Sequence, residues 1–300
     1  MSVLSERSVG IPGSAVAAAS VTVVLWASAF VGIRAAAPYF SPGSLALGRL
    51  LTGTIVLLIF LVVRRQGLPP KAAWPGIVIS GVLWFGLYMV ALNWGEELVD
   101  AGTAALVVNV GPAVMALLAG VFLGEGFPPR LLAGIAVSFA GTVVVGLSMS
   151  GGGQAPVLGV LLCLVAAITY ASGVVAQKPA LRHATALQAT TFGCAIGAAA
   201  CLPFAARLIS DVADAPLSAT LNVVYLGVFP TAIAFTTWAY ALARTTAGKM
   251  GSTTYAVPAV VVLLSWLLLG EVPGWLTLAG GVLCLAGVAV SRGLTWRRRR

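Results

Sequence analysis

The chain has 300 residues, of which 60% are hydrophobic and 8% charged, with a formal net charge of +9. A soluble domain carries about 25% charged side chains, so a surface facing only water is excluded and lipid takes its place. The basic excess forms no stripe, which argues against nucleic acid as a partner.

A bilayer-spanning helix needs about 20 apolar residues. Runs of that length between polar or Pro/Gly breaks predict ten helices, at 15–35, 43–64, 74–95, 101–123, 130–149, 156–178, 186–208, 219–243, 249–269 and 274–292. Residues 1–14 form an N-terminal tail. The first apolar run could imitate a signal peptide, but it continues for about twenty residues, longer than a typical signal h-region, and is read as a retained helix. It carries Trp26 and Ser28. The second carries Arg49, roughly two turns from one end, where a charge costs a few kcal/mol unless paired or hydrated. On the third, Trp84 and Tyr88 lie four residues apart on one face, and Glu96, Glu97 and Asp100 follow at its end. These acids are predicted to hold Arg49 in an ion pair that is either a structural clamp or a gate.

The fourth and ninth runs contain Pro112 and Pro258. A mid-helix proline frees the carbonyl four residues back, which in lipid must find a partner or face a wet cavity. Asn109, Thr254 and Tyr255 lie nearby. Tyr170 and Ser172 on the sixth run and Trp238 on the eighth complete a candidate binding set with Trp26, Ser28, Trp84, Tyr88 and the two prolines. Glu125 and Glu271 precede the fifth and tenth runs, where a carboxylate can cap exposed N–H groups. Cys163, Cys194, Cys201 and Cys284 fall inside apolar runs without C-x-x-C spacing, and read as buried side chains rather than disulfides or metal ligands. Gly120-x-x-x-Gly124 and Gly193-x-x-x-Gly197 permit close helix approach, within a monomer or between the copies of a homodimer.

The second half repeats the first. Residues 102–145 and 248–291 share 15 identities in 44 ungapped positions, superposing Pro112 on Pro258 and Gly124-Glu125 on Gly270-Glu271. Trp26-Ala27-Ser28 matches Tyr170-Ala171-Ser172, and Arg34 matches Lys178. Two units follow, 15–149 and 156–292, with 150–155 as a glycine-rich linker and 293–300 as a basic tail. Five helices per unit is an odd number, so the second unit enters the bilayer inverted, as in many secondary transporters. The fold class is therefore all-α integral membrane, ten transmembrane helices in two inverted five-helix repeats.

With both termini in the cytoplasm, 14 of the 17 basic residues fall on the inner side, as the positive-inside rule requires. Arg297–Arg300 then anchor against anionic lipid. No Asp, Glu or His lies mid-helix, and the one histidine, His183, sits in a loop. Since proton relays usually need a membrane acid, no coupling carboxylate is expected.

Together the Trp26-Ala27-Ser28 triplet, Arg49 after Ser41-Pro42, and the proline and Leu-Gly-Glu motifs of each half resemble the EamA family of the drug/metabolite transporter superfamily. The resemblance covers nearly the whole chain. It implies a cavity between the halves and export of a small metabolite, amino acids among the candidates, across the cell membrane by alternating access. Alternatives are a multidrug or lipid-linked cargo transporter, or an accessory subunit without transport of its own. With no HExxH, GxSxG or paired membrane carboxylates, no enzyme activity, catalytic residue, metal or cofactor is expected; a small-molecule substrate and the bilayer are.

Overall fold

The computed structural model describes residues 13–124, 126, 129–149, 154–245, 247, 250, 253–254, 256–271 and 273–291. The first twelve residues, the 150–153 glycine run, Glu125, Tyr255 and the Arg297–Arg300 cluster, all singled out above, lie outside them. No strand occurs among the described residues. The first part comprises α1 Gly13–Ala36, α2 Pro42–Val63, α3 Lys71–Leu98, α4 Ala101–Phe122 and α5 Pro129–Met149. Then follow α6 Gln154–Ala180, α7 Ala186–Ala200, α8 Ala205–Asp214, α9 Leu217–Ala243, α10 Ala256–Leu269 and α11 Trp275–Ser291. Among the described residues, six helices are long and apolar enough to cross a bilayer (α1, α2, α3, α4, α6 and α9), or seven if α7 and α8 count as one bent span.

One predicted boundary is corrected. The seventh run, read as 186–208, stops at Ala200, and the chain turns by 53° before α8. Pro203 lies in that turn, where it cannot supply the N–H a continuing helix would need. The amphipathic α8 turns Ile209 and Val212 outward, as a helix at the membrane interface does. Its buried Asp211 accepts from the Ser41 N–H at 2.9 Å and from the Ser44 hydroxyl. Those groups open α2, so the carboxylate also faces the positive end of a helix dipole.

Three features recur at positions that the sequence copies match. Both α3 and α9 contain a π-helical turn, Gly81–Leu87 and Gly227–Ile233. In the second, Pro230 has no N–H to offer the Leu226 carbonyl, and Thr231 Oγ1 donates to it instead at 2.8 Å. Gly124 and Gly270 both take positive φ, +70° and +69°, and the Gly270 N–H closes the helix onto the Trp266 carbonyl at 3.2 Å. The Leu-Gly-Glu motif is thus a left-handed helix stop. Finally, Arg34 Nη1 donates to the Glu96 carbonyl at 2.9 Å, while Lys178 Nζ donates to the Leu242 carbonyl at 2.6 Å. Each cation sits where the C-terminal dipole of α3 or α9 favours it. Because Ser14 meets Tyr240 at 3.2 Å, beside the carbonyls that Lys178 caps, Lys178 and Arg34 lie at opposite ends of α1.

Close approaches hold this frame. A Cβ on Gly197 would lie 2.5 Å from Phe85 Cβ, so the second glycine motif packs α7 against the π turn of α3 inside one chain. Trp84, Phe85, Phe235 and Trp238 form a buried aromatic core beside it.

Candidate functional site

Both membrane prolines lie just inside a restarted helix rather than kinking a continuous one, which corrects the mid-helix reading. Helical bonding in α4 lapses at Asn109–Val110, and a second segment begins at Gly111. Pro112 occupies its first turn, where a missing N–H costs nothing. On the other side Thr254 ends a short turn, its carbonyl accepting the Val257 N–H at 3.0 Å, and α10 carries Pro258 in its first turn. The two breaks touch: Asn109 Nδ2 donates to the Thr254 carbonyl at 3.3 Å. Broken helices at membrane depth are tolerated where they line a cavity.

A cavity of about 50 Å³ opens between the breaks, lined by Asn109, Pro112, Thr254 and Pro258 together with Trp26, Arg49, Trp84, Tyr88 and Tyr170. By the measure in which one water needs about 10–15 Å³, it admits a few waters. The walls are aromatic. Trp26 stands 6.0 Å from Trp84, 6.4 Å from Tyr170 and 5.4 Å from Phe235, edge to face in each case, the geometry ring quadrupoles prefer. Arg49 is the one charged side chain among the described lining residues. It is buried, and its Nε donates to Thr231 Oγ1 at 3.3 Å. The Trp26 Nε1 donor and the Asn109 Oδ1 acceptor are buried without a hydrogen-bond partner.

Of the predicted binding residues, Trp26, Trp84, Tyr88, Asn109, Pro112, Tyr170, Thr254 and Pro258 meet at this cavity. Ser28 and Ser172 do not. Each lies two residues past a lining aromatic, on nearly the opposite side of its helix. Ser28 Oγ pairs with the Tyr225 hydroxyl at 2.7 Å and Ser172 Oγ donates to the Ile168 carbonyl at 2.8 Å. Trp238 stands behind the wall, fully buried and 4.8 Å from Trp26. The sequence reading missed Phe30 and Phe235, which carry no signal apart from being aromatic.

The acidic cluster is rearranged relative to expectation. Among the described residues the ion pairs are Arg34–Glu271 at 2.8 Å and Arg207–Asp211 at 2.8 Å; the anticipated bridge from Arg49 to Glu96, Glu97 or Asp100 is absent. Asp100 instead caps α4, accepting from the Thr103 N–H at 2.9 Å. Glu97 faces outward beside Arg34 and Glu271. Glu96 turns inward and is fully buried. Glu271, expected as a cap on α11, stands four residues before Trp275 and is taken by Arg34.

These features define a multi-pass helical membrane protein with an internal polar site. The model of the EamA-like transporter family matches the chain twice, over residues 13–147 and 157–293, and the protein belongs to that family. A relative from Streptantibioticus cattleyicolor, described as a probable terminal-alkyne amino-acid exporter, is 37% identical over 95% of this chain and 96% of its own. Another, the probable amino-acid metabolite efflux pump of Escherichia coli, is 26% identical over 93% of this chain and 95% of its own. A solved crystal structure, 24% identical, shares the fold with a TM-score of 0.67 over 95% of this chain and 99% of that one.

Proposed function

We propose that this protein is a secondary transporter that exports a small zwitterionic metabolite, an amino acid, across the cell membrane by alternating access. The reading adds that ten helices form two inverted five-helix halves with both termini cytoplasmic. Its support is the pair of capping cations at opposite ends of α1 and the repeated π turns and left-handed glycines. One observation carries the cargo class: a buried cation, an unpaired donor and an unpaired acceptor meet inside an aromatic wall where two broken helices touch. Restarted helices aim positive dipole ends at such a site, which suits a carboxylate. Arg49 and Trp26 Nε1 add donors for it, and Asn109 Oδ1 can accept from the ammonium. A cavity of this size requires its walls to part before cargo enters.

The rival readings, a lipid-linked cargo or an accessory subunit, call for mid-span aromatics turned outward. Of Trp26, Trp84, Trp238 and Trp266, only Trp266 is exposed. Counterflow in proteoliposomes tests the proposal, with labelled L-leucine, L-phenylalanine and tetraphenylphosphonium as probes. Exchange of the zwitterions is expected; uptake of the cation alone rejects the cargo class.

A further inference from the structure

We propose that Glu96 is a proton-binding site linked to the cavity through Arg49. By sequence Glu96 ends a helix and should meet water, yet the residue is 0% exposed. Neither carboxylate oxygen has a hydrogen-bond partner. This burial is built into the helix packing. A Cβ on the adjacent Gly95 would lie 2.7 Å from Cys163 Sγ, and one on Gly159 would lie 2.8 Å from Leu98 Cβ. Two glycines thus let α6 close over the end of α3.

The groups in electrostatic reach of Glu96 come from every side. They are Arg49 on α2, Arg34 on α1, Asp100 at the start of α4, Glu271 after α10, Cys163 on α6 and Tyr88 one face along α3. Most are committed. Arg34 divides its donors between the Glu271 carboxylate and the Glu96 carbonyl, and Asp100 holds Thr103. Arg49 has the long contact to Thr231 and lines the cavity, so of the two cations it is the one that no described carboxylate holds.

A buried carboxyl group without donors is tolerated in two forms, carrying a proton or paired with a cation. Arg49 selects between them. When a cargo carboxylate engages Arg49, Glu96 loses its counter-charge and takes a proton from water as an O–H. When cargo leaves, the Arg49 charge is again free to compensate the carboxylate and the proton departs. Linkage makes this reciprocal, each ligand tightening the other, so cargo and proton cross together, outward when the outward cargo gradient exceeds the inward proton gradient and inward when it does not. The coupling rests on the transport reading above; the proton site itself does not.

Infrared difference spectroscopy of the full chain in liposomes tests the site without any cargo. A protonated-carboxyl band that titrates with pH in the wild type, is lost in E96Q and is kept in E96D is expected; its absence from the wild type, or its survival in E96Q, overturns the proposal. The second arm uses labelled L-leucine in proteoliposomes. An inward proton gradient should drive uphill uptake in the wild type and in E96D but not in E96Q, whose leucine counterflow persists because exchange moves no net proton. Gradient-driven uptake by E96Q overturns the coupling. Failure of leucine exchange in the wild type counts against the transport reading, and the infrared arm then decides the proton site alone.

Discussion

Replacing Arg49 by Met separates binding from folding. In the structure the guanidinium is buried and its Nε contact to Thr231 is 3.3 Å, beyond the usual 2.7–3.2 Å of an N–H···O bond. Removing one weak bond costs little, and removing a buried charge without a close ion-pair partner relieves a desolvation penalty. The thermal midpoint of R49M in detergent should therefore not fall. Cargo binding is a different matter. A hydrogen bond to a charged group contributes about 1.5–3 kcal/mol, which corresponds to a roughly tenfold to hundredfold loss of affinity. The assay is the half-saturating concentration for counterflow, measured for L-leucine and for leucinol, which lacks the carboxylate. Leucine should weaken by that factor in R49M while leucinol does not change, and the double comparison isolates the pair. Equal weakening of both, or of neither, refutes the assignment of Arg49 to the carboxylate.

The remaining predictions concern the frame. Gly159→Val places side-chain atoms against Leu98 and Val99 and should cost about 1–3 kcal/mol by overpacking, read as a lower thermal midpoint; an unchanged midpoint would contradict the close approach of α3 and α6. Trp84→Ala empties a fully buried site ringed by Trp26, Phe85, Tyr170, Phe235 and Trp238, so a loss of about 3–5 kcal/mol is expected and folded yield should drop, whereas Tyr88→Ala at the half-buried cavity wall should lower transport with yield retained. Arg34→Gln breaks a pair whose side chains are 31% and 27% exposed, so stability should fall by less than about 1 kcal/mol, and adding Glu271→Gln should cost little more because both act on one contact.

Much of the frame was legible because bilayers leave few options. Apolar run lengths located most helices to within a few residues, and the repeat pointed to the membrane prolines that bound the cavity. Which way each helix faces was far less legible. Trp26 and Ser28 sit on a helix that is apolar on all sides, and such helices lack the polar stripe from which a buried face is normally read. Ser28 and Ser172 were misplaced for that reason. The π turns were hidden because they reflect backbone bonding rather than composition, although Pro230 marked one of them. Glu96 was misread because its burial depends on two glycines, Gly95 and Gly159, 64 residues apart in the chain. Position along a helix says nothing about which neighbour covers its end.

The central claim, a site at the seam of two halves that opens to each side in turn, is tested most directly by side-specific labelling. Asn109→Cys would be made in a chain whose Cys163, Cys194, Cys201 and Cys284 are replaced, and reconstituted in liposomes of known orientation. A membrane-impermeant thiol reagent should modify it from either face, at rates that saturating L-leucine lowers on both. Labelling from one face only, or labelling that leucine does not slow, would contradict the account.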